Sequence, residues 1–108
     1  MKLLRLEYAT HPEQVLSLLD LPAEQNAVLK MGTARIQKGD WVPLEGHSSH
    51  EQHEVSVILK GKLEVESGGQ PGTIQTGDIS LIPAGEAHRA QALEDTELIW
   101  FWFGNAGP

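Results

Sequence analysis

Residues 77–88 read GDISLIPAGEAH and combine two turns, a strand and a histidine in one short segment. Gly77 followed by Asp78 is typical of a hairpin turn, because glycine accepts backbone angles that other residues avoid. The apolar run over 79–82 is typical of a β-strand. Pro83 to Gly85 predict a second tight turn, which delivers His88 onto the next strand.

Short runs of the same kind continue on both sides of this segment. They are rich in Val, Ile, Leu and Trp, and turn residues separate them at close intervals, as in a β-sandwich or small barrel. The runs cover residues 27–36, 55–59, 62–66, 73–75, 79–82, 87–93 and 96–103. Helices long enough for parallel crossovers are missing, which excludes a parallel α/β sheet. The sequence therefore predicts an all-β fold.

The first 26 residues have a different pattern. Residues 1–8 (MKLLRLEY) are compatible with either a strand or an extended arm. Thr10, with Pro12 and Glu13 after it, matches a helix start: a capping hydroxyl, a proline in the first turn and an acid. Apolar residues follow at 15, 16, 18 and 19. We therefore predict one short N-terminal helix that ends before Pro22.

Length and charge restrict the possible classes of protein. The chain has 108 residues, a formal charge of −7 and no cysteine. We expect one domain over 1–108, with residues 1–26 as arm and helix and 27–103 as the β-barrel. An acidic surface repels phosphate, so we expect no nucleic-acid partner. The longest apolar run, 98–103, is far below the roughly 20 residues of a membrane helix. A cytoplasmic protein without disulfides fits these features.

The alternation of side chains along two runs predicts a covered outer surface. In residues 55–59 the odd positions are all apolar, whereas the even face includes Glu54 and Ser56. In residues 98–103 both faces are apolar, so both must be buried. We therefore predict a homodimer, in which a second copy covers the outer face. The alternative is that the N-terminal arm and helix alone cover it.

The histidines are the clearest candidates for chemistry. His47, His50 and His53 lie close together, and His88 follows the proline turn. Imidazole and carboxylate groups are the usual ligands of first-row divalent metals. Glu54 follows His50 by four residues, or about 13 Å on a straight strand, so the segment must bend for both to reach one ion. From the residues alone, the cluster is either a metal site or a solvated loop.

These residues resemble the two motifs of the cupin superfamily. The first motif is a glycine, two histidines separated by one residue, a glutamate and a later glycine, and the matching positions are Gly39, His50, Glu54 and Gly61. The second is a glycine, five residues, Pro-x-Gly, two residues and a histidine, and every spacing is met by Gly77, Pro83, Gly85 and His88. The resemblance spans 39–92 and implies a double-stranded β-helix, the jelly-roll or cupin barrel, which is often dimeric.

The resemblance also implies a metal site, with one departure. The family's first histidine falls at Ser48, a poor metal ligand. His47 is one position early and needs a one-residue bulge to turn inward, and His53 has the same parity problem. The implied ligands are therefore His50, Glu54 and His88, with His47 as a contested fourth, for a divalent ion such as Fe, Mn, Ni or Zn. Two histidines and one carboxylate also form the facial triad that leaves coordination positions open.

Three functions fit this interpretation. The first is a metal-dependent enzyme of dioxygenase, isomerase or lyase type that acts on a small organic substrate. The second is a non-catalytic sensor module that binds a small molecule or metal in the barrel. The third is a structural or interaction domain that uses the strand over 100–103 and needs no metal. Fold alone does not choose among them.

Overall fold

The computed structural model describes residues 1–24 and 27–105 of the chain. This part of the chain forms β-strands and no helix, so the all-β prediction is confirmed. The strands are β1 (Val15–Glu24), β2 (Ala27–Ile36), β3 (Trp41–Val42), β4 (His53–Lys60), β5 (Lys62–Ser67), β6 (Gln70–Gln75), β7 (Ile79–Ile82), β8 (His88–Ala92) and β9 (Thr96–Asn105). The described residues accordingly contain no helix that could span a membrane. The expected boundary at residue 26 lies outside the described residues.

The strands form two sheets. The five-stranded sheet has the order β1-β2-β9-β4-β7, and the four-stranded sheet has the order β3-β8-β5-β6. Neighbouring strands are antiparallel throughout, and most of them are not consecutive in the chain, so connections pass from one sheet to the other. Ile36 and Ile58 from the first sheet pack with Leu63 and Ala92 from the second, and each is at most 3% exposed. The apolar core therefore lies between the two sheets.

The predicted N-terminal helix is wrong, because this segment forms β1 along the free edge of β2. Leu19 pairs with Met31, and Leu21 pairs with Leu29. A register shift between Ser17 and Leu19 adds one residue to β1, which breaks the two-residue alternation of apolar side chains and imitates a helical pattern. Pairing with β2 also gives one side of this segment backbone hydrogen bonds, whereas a short isolated helix is marginal.

The segment before β1 is an arm fastened at its inner end. The signals at Thr10 form a turn, in which the Glu13 amide donates to the Thr10 carbonyl at 3.0 Å. The sequence is compatible with either a strand or an extended arm over residues 1–8. These residues form no strand, so they are the arm. The Arg35 guanidinium lies 4.3 Å from the Tyr8 ring centroid, and the Thr33 hydroxyl donates to the Glu7 carbonyl.

The outer face of the five-stranded sheet is apolar, as strand parity predicts. One row of paired residues crosses all five strands without a charge: Leu81, Val55, Phe101, Met31 and Leu19. Leu81 is 61% exposed, and Ile79 in the same strand is 69% exposed. The arm's contacts with Thr33 and Arg35 lie to one side of this row, so part of the face remains open.

Candidate metal centre

Three predicted site residues come from different parts of the chain and converge between the sheets. Glu54 lies near the start of β4 in the five-stranded sheet, and His88 begins β8 in the four-stranded sheet. His50 lies in the loop that connects β3 to β4. Because the two sheets face each other, the inner side of β4 and the start of β8 are brought to the same place.

The loop before β4 bends as the spacing of His50 and Glu54 requires. The Gly85 amide donates to the His50 carbonyl at 2.8 Å, which fastens this loop to the turn between β7 and β8. Ser48 and His88 exchange two backbone hydrogen bonds of 2.9 Å each. The turn and the loop therefore hold each other, and both histidines are positioned by backbone contacts.

The three side chains form a compact donor group. The His50 Nε2 atom is 3.6 Å from Glu54 Oε1, and the His88 Nε2 atom is 3.9 Å from Glu54 Oε2. One ligand atom from each residue lies within 4.8 Å of the other two. The side chains are 11–17% exposed. Such a cluster has the size and residue types of a site for one metal ion.

Backbone carbonyl groups fix the tautomers of both histidines. His50 Nδ1 lies 2.8 Å from the Gln52 carbonyl oxygen, and His88 Nδ1 lies 3.0 Å from the Glu86 carbonyl oxygen. A carbonyl only accepts, so each Nδ1 carries the proton and each Nε2 presents a lone pair. His50 Nε2 is buried without a hydrogen-bond partner among the described residues. A buried polar atom without a partner is costly, and a metal ion would satisfy it.

The other two histidines are placed differently. His47 lines the same cavity as the three residues, but its Nε2 atom lies 3.4 Å from Glu66 Oε1, and its side chain is 43% exposed. His53 pairs with Phe103 on the outer side of the sheet, and its Nδ1 accepts from the Ala84 amide at 3.0 Å. Ser48 also lines the cavity. His47 and His53 were the two candidates to replace the motif histidine that is missing at Ser48. Of these two, only His47 lies at the cavity wall.

Trp102 is a site residue that the sequence reasoning missed. Its indole Nε1 donates to Glu54 Oε1 at 2.7 Å, and its ring centroid is 4.4 Å from that of His50. In the structure, Trp102 and Glu54 both lie on the inner face of the five-stranded sheet. Their contact depends on the pairing of Glu54 with Trp102 across β4 and β9, and no local pattern reveals that register.

A cavity of about 790 Å³ adjoins the three residues. Its apolar wall includes Ile58, Leu98 and Trp100, and the cross-strand pair Ser56 and Ser80 adds two hydroxyl groups. This volume is within the range of small-molecule pockets, about 300–1,000 Å³. The arrangement thus offers a donor group for a metal beside a space for an organic molecule.

The fold and the site together define the class of this protein. It is a small β-protein with an antiparallel jelly-roll fold, and two histidines and a carboxylate lie between its sheets. The family model described as "Cupin domain" matches residues 32–104, and the chain belongs to this family. Among proteins with curated functions, none matches this sequence significantly.

Solved structures similar to this chain include proteins of low sequence identity. An RmlC-like cupin family protein with a double-stranded β-helix fold from Methanocaldococcus jannaschii has a TM-score of 0.71 and 14% identity, over 97% of this chain and 90% of that one. KdgF from Halomonas sp. has a TM-score of 0.62 and 21% identity, over 78% and 85%. A mutant of salicylate 1,2-dioxygenase from Pseudoaminobacter salicylatoxidans has a TM-score of 0.63 and 19% identity, over 68% of this chain and 20% of that one. These similarities show the double-stranded β-helix fold.

Proposed function

We propose that this protein binds one divalent transition-metal ion through His50, Glu54 and His88, and uses it to transform a small organic molecule in the adjoining cavity. One observation carries the proposal: two imidazole Nε2 atoms and a carboxylate converge at the wall of a 790 Å³ cavity, and the His50 Nε2 atom is buried without a partner. The wall is otherwise mainly apolar, which suits an organic ligand.

The donor set narrows the choice of metal and chemistry. Two imidazoles and one carboxylate suit Fe, Mn, Ni or Zn, and a facial set of this kind is typical of Fe(II) sites with open positions. The bound ion would supply Lewis-acid activation or a site for an oxygen-bearing group. The residues of this chain hold the donors and place the apolar part of the ligand against Ile58, Leu98 and Trp100. Dioxygenase, isomerase and lyase reactions all remain within this proposal.

His47 is proposed as an occasional fourth ligand. It faces the same cavity, but it must leave Glu66 to reach the other donors. A His47→Ala variant separates a three-residue set from a four-residue set. An affinity reduced at least tenfold supports the larger set, and unchanged affinity reduces the set to three.

Calorimetric titration of the metal-free protein tests the site directly. We expect one Mn(II), Ni(II) or Zn(II) ion to bind per chain, and binding to be lost in His50→Ala and in His88→Ala while both variants remain folded. His53→Ala is the matched control, because His53 is in the same segment but lies on the outer side of β4. Stoichiometric binding that survives in both site variants would refute the proposal.

A second function, ligand binding without turnover, is favoured by the pairing of other charged groups on the cavity wall. The Glu66 carboxylate lies 3.4 Å from His47 and 3.6 Å from Arg89. These two contacts engage the carboxylate, so it is not left free for proton transfer. Metal-loaded protein incubated with small organic acids distinguishes the two functions. Product formation supports an enzyme, whereas stoichiometric binding without product supports a sensor module.

We also propose that a second copy of this chain covers the outer sheet face. The uncharged row that crosses five strands is about 20 Å wide, given roughly 4.8 Å between strands. A two-fold interface must complement itself, and an apolar row pairs well with an identical row. The open positions of Ile79 and Leu81 support this partner.

A further inference from the structure

Trp102 contacts two of the three proposed ligands. Its indole N–H donates to Glu54 Oε1 at 2.7 Å, which is at the short end for a bond from nitrogen to a carboxylate. Its ring lies against the His50 ring, with centroids 4.4 Å apart and an interplanar angle of 30°. One side chain therefore restricts the orientation of both a carboxylate and an imidazole.

The hydrogen bond distinguishes the two oxygens of Glu54. An indole N–H only donates, so it engages one lone pair of Oε1. Oε2 has no such donor in the described residues and lies 3.9 Å from His88 Nε2. The bond therefore restrains the carboxylate and occupies one of the two lone pairs of Oε1, whereas both lone pairs of Oε2 remain available to an ion.

We propose that Trp102 is a positioning residue of the metal centre, which holds Glu54 to one-oxygen coordination and fixes the plane of His50. By preventing the second oxygen from binding, it keeps a coordination position available on the cavity side. This inference rests on the proposed metal function. It assigns to Trp102 a role that neither the strand pattern nor the ligand set contains.

Trp100 provides a matched comparison within the same strand. It lies two residues earlier on the same inner face, and its Nε1 donates to the Thr33 carbonyl at 2.9 Å. Its centroid is 5.5 Å from that of Trp102. Trp100→Phe and Trp102→Phe therefore each remove one indole N–H from the same inner face, but only the second removes a hydrogen bond to Glu54.

Metal affinity is the first readout. Competition with a chromophoric chelator gives the Zn(II) dissociation constant of wild type, Trp102→Phe and Trp100→Phe. We expect Trp102→Phe to weaken binding by about 10–100-fold, the usual effect of losing a partner that orients a ligand, and Trp100→Phe to change it less than threefold. Equal weakening in both variants, or no weakening in Trp102→Phe, would overturn the inference.

The visible absorption spectrum of bound Co(II) is a second readout. It would not change if Trp102 had a purely structural role. The visible absorption of bound Co(II) depends on its number of ligands, so we expect its intensity and shape to change in Trp102→Phe and to persist in Trp100→Phe. An identical spectrum in all three proteins would contradict one-oxygen coordination. Wild type that binds no metal at all instead refutes the proposed function, before the variants are compared.

A measurement on the wild type keeps the inference testable if Trp102→Phe does not fold. The chain has three tryptophans, so a proton–nitrogen correlation spectrum contains three indole signals. We expect the Trp102 signal to shift on addition of Zn(II) while the signal of Trp41 stays in place. A Trp102 signal that is unaffected by a stoichiometrically bound ion would overturn the inference.

Discussion

At the scale of single residues, Gly61 shows why the motif glycines occur where they do. It has a φ of +99° in the turn between β4 and β5, an angle that disfavours any side chain. A Cβ atom there would also lie 2.6 Å from the Thr96 Cα atom, well inside van der Waals contact. The turn therefore requires glycine for two reasons, the backbone angle and the close approach of another chain segment.

Gly61→Ala and Gly77→Ala separate these two reasons. Gly77 has a φ of +90° but open space where an added methyl group would lie, so we expect a loss of roughly 1–2 kcal/mol from the angle alone. We expect Gly61→Ala to lose at least about 1 kcal/mol more, because the backbone near Thr96 must move. Urea denaturation measures both values. Equal losses would show that the close approach carries no weight.

The residue scale also shows how far the sequence predicts the site. His50, Glu54 and His88 could be selected because their spacing matches two motifs with fixed turns between them. The sequence shows that the chain must bend before Glu54, but it does not show the form of the bend. Hydrogen bonds from the Gly85 and His88 amides to the loop produce that bend. Trp102 could not be selected, because its role depends on the register of β9 against β4.

At the scale of elements, the first strand shows the limit of local patterns. The residues at Thr10 do form a turn, and the apolar residues within 15–19 do follow it. They belong to a strand rather than a helix, because a bulge in β1 produces the helix-like spacing. The free edge of β2 decides the outcome, and the position of that edge is a property of the whole sheet. The strands β2 and β7 were predicted with correct bounds, and turn residues such as Gly39, Gly77 and Pro83 separate them from the neighbouring runs.

Through Tyr8, the arm before β1 makes the free energy of unfolding depend on pH in the alkaline range. Burial, together with a hydrogen bond to Glu97 and the charge of that residue, raises the pKa of Tyr8 above its ordinary value of 10.0, although Arg35 opposes this. The unfolded chain therefore ionises first, so stability from this group is complete below pH 10 and is lost as pH rises further. We expect urea midpoints of wild type to fall more steeply above pH 10 than those of Tyr8→Phe. Parallel curves would show that the arm does not hold Tyr8.

The outer face of the five-stranded sheet makes a prediction about assembly. Leu81 is 61% exposed, so Leu81→Lys costs a single chain little but places a charge in the proposed interface. We expect light scattering to give the mass of a dimer for wild type and of a monomer for Leu81→Lys. Thr73→Lys is the control, since it adds the same charge at an exposed position of β6 in the other sheet. A monomeric wild type would contradict the proposed interface.

At the scale of the whole molecule, the two sheets and the metal centre depend on each other. Glu54 belongs to one sheet and His88 to the other, so an ion bound to both would connect the layers beside the cavity. A ligand that binds only the folded state stabilises it by about 2.7 kcal/mol at a hundred times its dissociation constant. The ion would therefore contribute to stability as well as to chemistry.

This coupling predicts an effect of metal removal on unfolding. We expect a chelator to lower the midpoint of thermal unfolding of the metal-loaded protein by roughly 10–20 °C, from about 2.7 kcal/mol and 4–8 °C per kcal/mol in a domain of this size. The midpoint of His88→Ala should not respond to the chelator. A wild-type midpoint that is equally insensitive would show that no ion connects the sheets.

Metal content of the untagged protein, purified without chelator and measured by plasma mass spectrometry, tests the central claim most directly. The account predicts about one iron, manganese, nickel or zinc ion per chain, held by His50, Glu54 and His88. Protein that contains no metal, and takes up none after reconstitution with each of these ions, would contradict it.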